Sequence, residues 1–348
     1  MSHSPRAGVA RQCAVATALA FAITFAPPLS TAALAQTSIR FSLDGRIEGT
    51  EALFLVPQDK GYFKAEGLDV TVDEAANTQE PLTRVANGYA MGFADINALI
   101  RFRDQQPTAP LKAVFMIYNR PPYAIVTRNS RGIADPKQLE GKRLGVPTTG
   151  STATQWPLFA KLNGIDLAKV TVENIAIAVR APMLAAGQID AALGSSFRLY
   201  VDLKDRGVQV NDIVLMAMPD YGLKLYGGAI IVNSKFAAEK PEAVQAFLRA
   251  FLHGLKDTIR RPQEAVDSIL KRDDSAKRDV ELDRLRMAIR DNIVTPEVKA
   301  DGIGSVDPVR LSEAIDQLAL VQPFKAKPKP DDIFDGAFLP PAAERRVH

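Results

Sequence analysis

The stretch 49–70, GTEALFLVPQDKGYFKAEGLDV, decides how the rest of the chain is read. It starts as an amphipathic run at Thr50, stops at Gly61, turns through Tyr62 and Phe63, stops again at Gly67 and leaves as the strand-like Leu68-Asp69-Val70. Glycine closes a helix well because it enters the left-handed region without a Cβ clash. A helix held between glycine stops and followed by a strand is one unit of an alternating α/β chain. Pro57 falls inside the run. Its ring lacks an N–H and crowds the preceding turn, so a kink or an interruption is predicted there.

Towards the N-terminus, residues 39–45 (IRFSLDG) read as the strand that feeds this helix. Residues 1–35 do not belong to the fold. Arg6 and Arg11 form a positive start, residues 14–26 are apolar, and Ala33-Leu34-Ala35 is a small-residue cleavage site. That is a secretory signal peptide cut after Ala35, which predicts a periplasmic protein. The apolar run is short for a transmembrane anchor and ends at Pro27-Pro28. Cleavage removes two arginines and no acid from a chain of 43 Lys+Arg and 40 Asp+Glu, so the mature protein is near neutral. No basic stripe marks a nucleic-acid partner. Cys13, the one cysteine, leaves with the leader, which excludes disulfides and thiolate chemistry.

Towards the C-terminus the alternation continues. Strands are predicted at 68–74, 91–97, 111–119 and 123–129, with helices at 81–88 and 97–106. Arg120-Pro121-Pro122 breaks the chain between two strands, since proline cannot donate to a ladder. A second cycle follows, with strands at 142–148, 169–177, 190–195, 212–218 and 227–233 and helices at 152–164, 181–188 and 197–207. Beyond Pro241 the chain is mainly helical. Val244, Phe247, Leu248, Phe251 and Leu255, spaced by three and four, define one buried face. The proline-rich tail 325–341 is expected to wrap the surface. A chain of 348 residues is long enough for two domains.

The sequence offers little to enzyme chemistry. It has no G-x-S-x-G elbow, no H-E-x-x-H, no G-x-G-x-x-G after the first strand and no P-loop. After cleavage only His253 and His348 remain, far apart, so neither a Ser/His/Asp triad nor a metal site is expected. No catalytic residue and no cofactor are assigned.

Ligands of open α/β sheets sit outside the carboxyl ends of strands, so the loops there supply the candidates. Asp44 and Arg46 flank Gly45 after the first strand, with Thr50 at the start of the following helix; Asn97 follows the 91–97 strand. In the second cycle, Thr149, Ser151 and Thr152 surround Gly150 at a helix start, a hydroxyl-rich cradle with free N–H groups and the positive helix end behind it. Trp156, one turn on, either stacks on a flat ligand or belongs to the core. Arg180 precedes a helix, where the dipole disfavours a cation, so it calls for an acidic partner, an anionic ligand or an exposed position. Ser195 and Phe197 follow the 190–195 strand, and Tyr226 precedes Gly227-Gly228.

The opening stretch, together with ADINAL, DPKQLEGKRLGVPTTGST, MLAAGQIDAAL and GGAIIVNSKFAAEKPEAVQAFLRA, resembles the periplasmic solute-binding proteins of ABC importers. The subgroup is the nitrate/sulfonate/taurine type, or NMT1/THI5-like family, and the likeness covers about residues 39–255. It implies a two-lobed α/β fold of the type II periplasmic-binding kind, each lobe a mixed sheet flanked by helices and joined by a two-strand hinge. Lobe 1 would take 36–122 and 227–348, and lobe 2 would take 123–226. It implies a monomeric receptor that holds a small-molecule solute between its lobes and delivers it to a membrane permease. The family's solute contacts would fall near Arg46, Asn97, Ser151, Thr152, Arg180 and Ser195, and its first helix would aim its N-terminus at the cleft. Two arginines and the hydroxyl-rich turn make a small organic anion the expected solute: a sulfonate, a taurine-like molecule or an aromatic carboxylate. The alternatives are a neutral aromatic heterocycle stacked on Trp156, Phe197 and Tyr226, such as a thiamine-precursor pyrimidine or a flavin, and a secreted enzyme acting on a small metabolite.

Overall fold

The computed structural model describes residues 36–347; the leader and its cleavage site lie outside the described residues. Ten strands form two five-stranded sheets. The first contains β1 (Thr37–Ser42), β2 (Leu68–Asp73), β3 (Met91–Asp95), β4 (Leu111–Met116) and β10 (Gly228–Asn233), in the order β2-β1-β3-β10-β4. The second contains β5 (Tyr123–Arg128), β6 (Arg143–Pro147), β7 (Thr171–Ile175), β8 (Ala191–Ser195) and β9 (Ile213–Ala217), in the order β7-β6-β8-β5-β9. Each sheet is parallel except for its fourth strand. β10 runs antiparallel between β3 and β4, and β5 runs antiparallel between β8 and β9. The two odd strands are those that arrive from the other sheet. Two crossovers therefore connect the sheets, 117–122 and 218–227. They touch each other: Gly227 N donates to Tyr118 O at 2.9 Å, and Tyr118 N to Gly228 O at 2.9 Å.

The opening stretch folds much as its glycines dictate. A 3₁₀ turn, Gly49–Glu51, leads into the helix Ala52–Asp59. Gly61, at φ 72°, ends that helix and starts the turn Tyr62–Ala65, and Gly67, at φ 73°, releases the chain into β2. Pro57 does not interrupt the helix, which runs on through Asp59. Its ring lies against the long helix Pro241–Arg260 at Gly254, where a Cβ would stand 2.6 Å from the ring.

That long helix buries Val244, Phe247, Leu248, Phe251 and Leu255, the face given by their spacing. Phe41 and Phe54 meet with ring centroids 5.0 Å apart, and Phe54 reaches Phe93 at 5.1 Å and Phe251 at 5.4 Å. This aromatic cluster locks β1, β3 and two helices into one body behind the carboxyl ends of the first sheet. The tail also contributes to the core: Ile333 is buried, and Asp335 N donates to Ala113 O at 2.8 Å on the β4 edge. No helix among the described residues is long and apolar enough to cross a membrane.

Candidate functional site

A cavity of about 110 Å³ lies where the carboxyl ends of β1 and β3 meet those of β6 and β8. Phe93, Tyr118 and Phe197 give it aromatic walls, and all three are buried. Tyr118 meets the Phe93 ring edge-on at 5.5 Å and the Phe197 ring at 6.0 Å. Gly228 keeps β10 bare beside Phe93; a Cβ there would come within 2.3 Å of the ring.

The first-sheet wall is acidic. Asp44 and Glu51 line it, and Arg198 reaches in from the helix Ser196–Asp205 of the other sheet. Arg198 Nε lies 3.0 Å from Glu48 Oε2, and its Nη2 donates to Glu51 Oε1 at 3.1 Å. Thr50 Oγ1 donates to Glu51 at 3.0 Å, and so does Glu48 N. Burial pushes the Glu51 carboxyl up to about 8 against the pull of Arg198, with Glu48 and Asp44 adding to the rise. Burial likewise pushes Asp44 up to about 6. Burial alone would lower the pKa of Arg198, but Glu48, Glu51 and Asp44 outweigh it and raise the value. Burial and the charge of Glu51 also raise the Tyr118 hydroxyl.

The second-sheet wall is a donor surface. β6 ends at Pro147, the chain turns through Gly150 at φ 119°, and the helix Ser151–Leu162 begins with no side chain capping it. Its first-turn N–H groups stand at the cavity beside Ser151 and Thr152. Arg180 opens the next helix, Arg180–Ala185, and is only 4% exposed. Its Nη1 donates to Leu193 O at 2.8 Å, while its Nε has no partner among the described residues. The missing side chain of Gly194 makes room for it, since a Cβ would lie 2.7 Å from Nη1. Burial lowers Arg180 to about 10. Ser195 Oγ is buried on the same wall and is also without a partner.

Of the residues singled out in the sequence, Asp44, Ser151, Thr152, Arg180, Ser195 and Phe197 border this cavity. The others stand apart from its lining. Arg46 is exposed and lines a separate surface groove with Glu74 and Arg272. Thr50 is buried behind Glu51, and Thr149 is exposed. Asn97 is buried, with its Nδ2 donating to Asp95, to Tyr123 Oη at 2.9 Å and to Tyr226 O at 2.7 Å, while its Oδ1 has no partner among the described residues. Trp156 is core, stacked on Phe159 at 6.3 Å. The Tyr226 hydroxyl turns away to Glu297 at 2.9 Å. The first helix does not offer a free N-terminus either. Gly49 N already donates to Glu281 at 2.6 Å, so this chain's own carboxylate occupies the place an anion would take.

Residue reading missed Glu51, Arg198, Phe93 and Tyr118. One signal was available. Arg198, Asp202 and Asp205 fall at helical spacing on one face, and the two acids are complementary to Lys277 and Arg284 further on. A larger groove of about 790 Å³ lies behind the crossovers, but its charged groups pair with one another: Arg120 with Asp220, Arg290 with Asp291 and Arg310 with Glu297.

Residues 50–265 match the family described as NMT1/THI5 like. Over 261 residues the chain is 31% identical to a riboflavin-binding protein, RibY, of Chloroflexus aurantiacus, covering 73% of this chain and 72% of that one. It is 25% identical to a formylaminopyrimidine-binding protein of Halalkalibacterium halodurans, covering 69% and 72%. It is 28% identical to a 4-amino-5-hydroxymethyl-2-methylpyrimidine phosphate synthase of Candida albicans, covering 59% and 62%. In structure it resembles the periplasmic aliphatic sulphonate binding protein SsuA of Escherichia coli, with a TM-score of 0.66 at 12% identity over 85% of this chain and 91% of that one. The fold is thus that of the periplasmic binding proteins.

Proposed function

Because this chain belongs to the NMT1/THI5-like family, we propose that it is the periplasmic solute-binding receptor of an ABC importer and that its solute is a small planar nitrogen heterocycle. In this reading residues 36–122 and 227–348 form one lobe, 123–226 form the other, and the crossovers are the hinge. The loaded receptor then docks on a membrane permease. The observation that carries the reading is the aromatic cavity between the ends of the two sheets. A dry cavity of ~150 Å³ admits benzene, so about 110 Å³ is on the scale of one ring. Phe93, Tyr118 and Phe197 offer π faces and edges to such a ring. Relatives named for riboflavin and for formylaminopyrimidine point to nitrogen heterocycles, and the volume favours the single ring over the tricyclic one.

The organic anion keeps one argument, the uncapped helix start beside Arg180. It loses the other, because Arg46 stands outside the cavity. Two matched relatives named as binding proteins favour binding over turnover, although another is named as a synthase. The test is a thermal-shift and calorimetric series with riboflavin, 4-amino-5-hydroxymethyl-2-methylpyrimidine, taurine and benzenesulfonate, followed by chromatography of the recovered compounds. A solute at about 100 times its Kd should add roughly 2.7 kcal/mol of stability. The pyrimidine should shift the melt and return unaltered. A shift with the sulfonates alone, or conversion of the pyrimidine, would sink the reading.

A further inference from the structure

The two walls of the cavity carry opposite unmet needs. On the first-sheet wall the arginines are already engaged. Arg198 spans Glu48 and Glu51, and Arg284 is taken by Glu281 and Asp202, both at 2.6 Å, and lies 3.9 Å from Glu48. Asp44 feels the charge of Arg198 but forms no ion pair with it. Among the described residues its carboxylate accepts only from its own backbone, no side chain donates to it, and it faces the cavity beside two further carboxylates. A half-buried carboxylate so thinly supplied is relieved by a positive or N–H-bearing partner. The opposite wall has the reverse lack. Arg180 has no ion-pair partner among the described residues, its Nε is unused, and it sits 96% buried beside free helix N–H groups and the unpartnered Ser195 hydroxyl. A guanidinium so placed is relieved by an acceptor or an anionic atom.

We infer that the solute is bipolar: it presents a protonated nitrogen or a strong N–H donor to Asp44 and a hydrogen-bond acceptor to Arg180 and the Gly150–Thr152 turn, and Asp44 is the residue that rejects simple organic anions. This rests on the receptor reading above and adds the solute's polarity and orientation to it. A plain sulfonate would satisfy Arg180 but would set a further negative charge near Asp44 and Glu48, with Arg198 and Arg284 both engaged by acids of this chain. A heterocycle with an exocyclic amine beside a ring nitrogen meets both walls at once.

The test is calorimetric titration of the mature protein with 4-amino-5-hydroxymethyl-2-methylpyrimidine, which has donor and acceptor, and with benzenesulfonate, which has only the anion. Asp44→Asn, Asp44→Ser and Arg180→Gln are compared with the parent, with circular dichroism and melting as folding controls. Both Asp44 variants should weaken pyrimidine binding about tenfold or more and strengthen benzenesulfonate binding. Arg180→Gln should weaken both compounds. Unchanged affinities in a folded Asp44 variant would overturn the polarity while leaving the receptor reading intact. Failure of the parent protein to bind the pyrimidine would remove the receptor reading and this inference with it.

Discussion

The guanidinium of Arg310 lies 3.8 Å from the centroid of the Tyr226 ring and donates to Asn119 O at 2.8 Å and to Leu225 O at 2.9 Å. Asn119 belongs to one crossover and Leu225 to the other, so a single side chain from the helix Pro308–Ala319 ties both connections between the sheets. Glu297 completes the clamp, accepting from Arg310 at 2.6 Å and from the Tyr226 hydroxyl at 2.9 Å. Replacing Arg310 by Ala strands two carbonyls and removes the only cation paired with Glu297 among the described residues, while Glu297 keeps the Tyr226 hydroxyl and Asn119 Nδ2 as donors. The expected cost is about 2–3 kcal/mol, read as a lower urea midpoint. Arg310→Lys should recover only part of it, because one ammonium cannot span the two crossovers as a planar fork does.

A second tie between the sheets is electrostatic. The helix Ser196–Asp205 faces the helix Arg278–Ala288 and its leading Lys277. Asp202 meets Arg284 at 2.6 Å, and Asp205 meets Lys277 at 2.9 Å. These pairs differ in burial: the side chains are 29% and 14% exposed in the first, and 36% and 67% in the second. Double-mutant cycles by urea unfolding should therefore give about 1–2 kcal/mol of coupling for Asp202 with Arg284. For Asp205 with Lys277 they should give less than about 0.5 kcal/mol, and that coupling should vanish in high salt. Equal couplings would show that burial does not set their strength.

The sequence was most informative where one local rule acts alone. Gly61 and Gly67 fixed the ends of the opening units, and the three-and-four spacing of Val244 to Leu255 fixed the buried face of the longest helix. The loops after strands led to Asp44, Ser151, Arg180 and Ser195, because their position at strand carboxyl ends is a property of chain order. The pairing of Glu51 with Arg198 is a different matter, since 147 residues separate them. Arg46 and Arg198 look alike as cations near ligand loops. Only the packing of one sheet's helix onto the other's turn sends Arg198 inward and leaves Arg46 in solvent. Trp156 lies in the core, one of the two places its helix position allows, because a core position and a stacking platform have the same spacing on a helix.

The acids of the cavity set a pH dependence with a definite sign. Asp44 is raised from 3.8 to about 6 and Glu51 from 4.5 to about 8, in both cases chiefly by burial. A raised carboxyl favours the native state most below its unfolded value, and that advantage is lost as pH climbs through the native value. The ligand-free protein should therefore lose stability between about pH 4 and pH 8, by up to roughly 1.4 kcal/mol per pH unit for each group while it titrates. Melting curves across that range should show a falling midpoint, and Glu51→Gln should flatten the upper half of the fall. Solute binding to Asp44 should strengthen as pH rises through about 6, since the ionised form is the acceptor. A melt that rises across the window would contradict the assignment.

Gly254 and Pro57 form a lock-and-key contact that makes the helix glycine necessary. In an isolated helix Gly→Ala gains about 1 kcal/mol. Here the added Cβ would stand 2.6, 2.7 and 2.8 Å from Cδ, Cβ and Cγ of Pro57. The proline ring cannot rotate out of the way as a flexible side chain would, so one of two packed helices must move. Overpacking of this kind costs typically ~1–3 kcal/mol, enough to cancel the propensity gain and reverse it. Gly254→Ala should therefore destabilise the protein in urea. Pro57→Ala in the same chain should restore only part of the loss: it removes Cγ and Cδ and returns a backbone N–H to the helix, but keeps the Cβ that stands 2.7 Å from the added methyl. If Gly254→Ala is neutral or stabilising on its own, the ring is not what holds these helices in register.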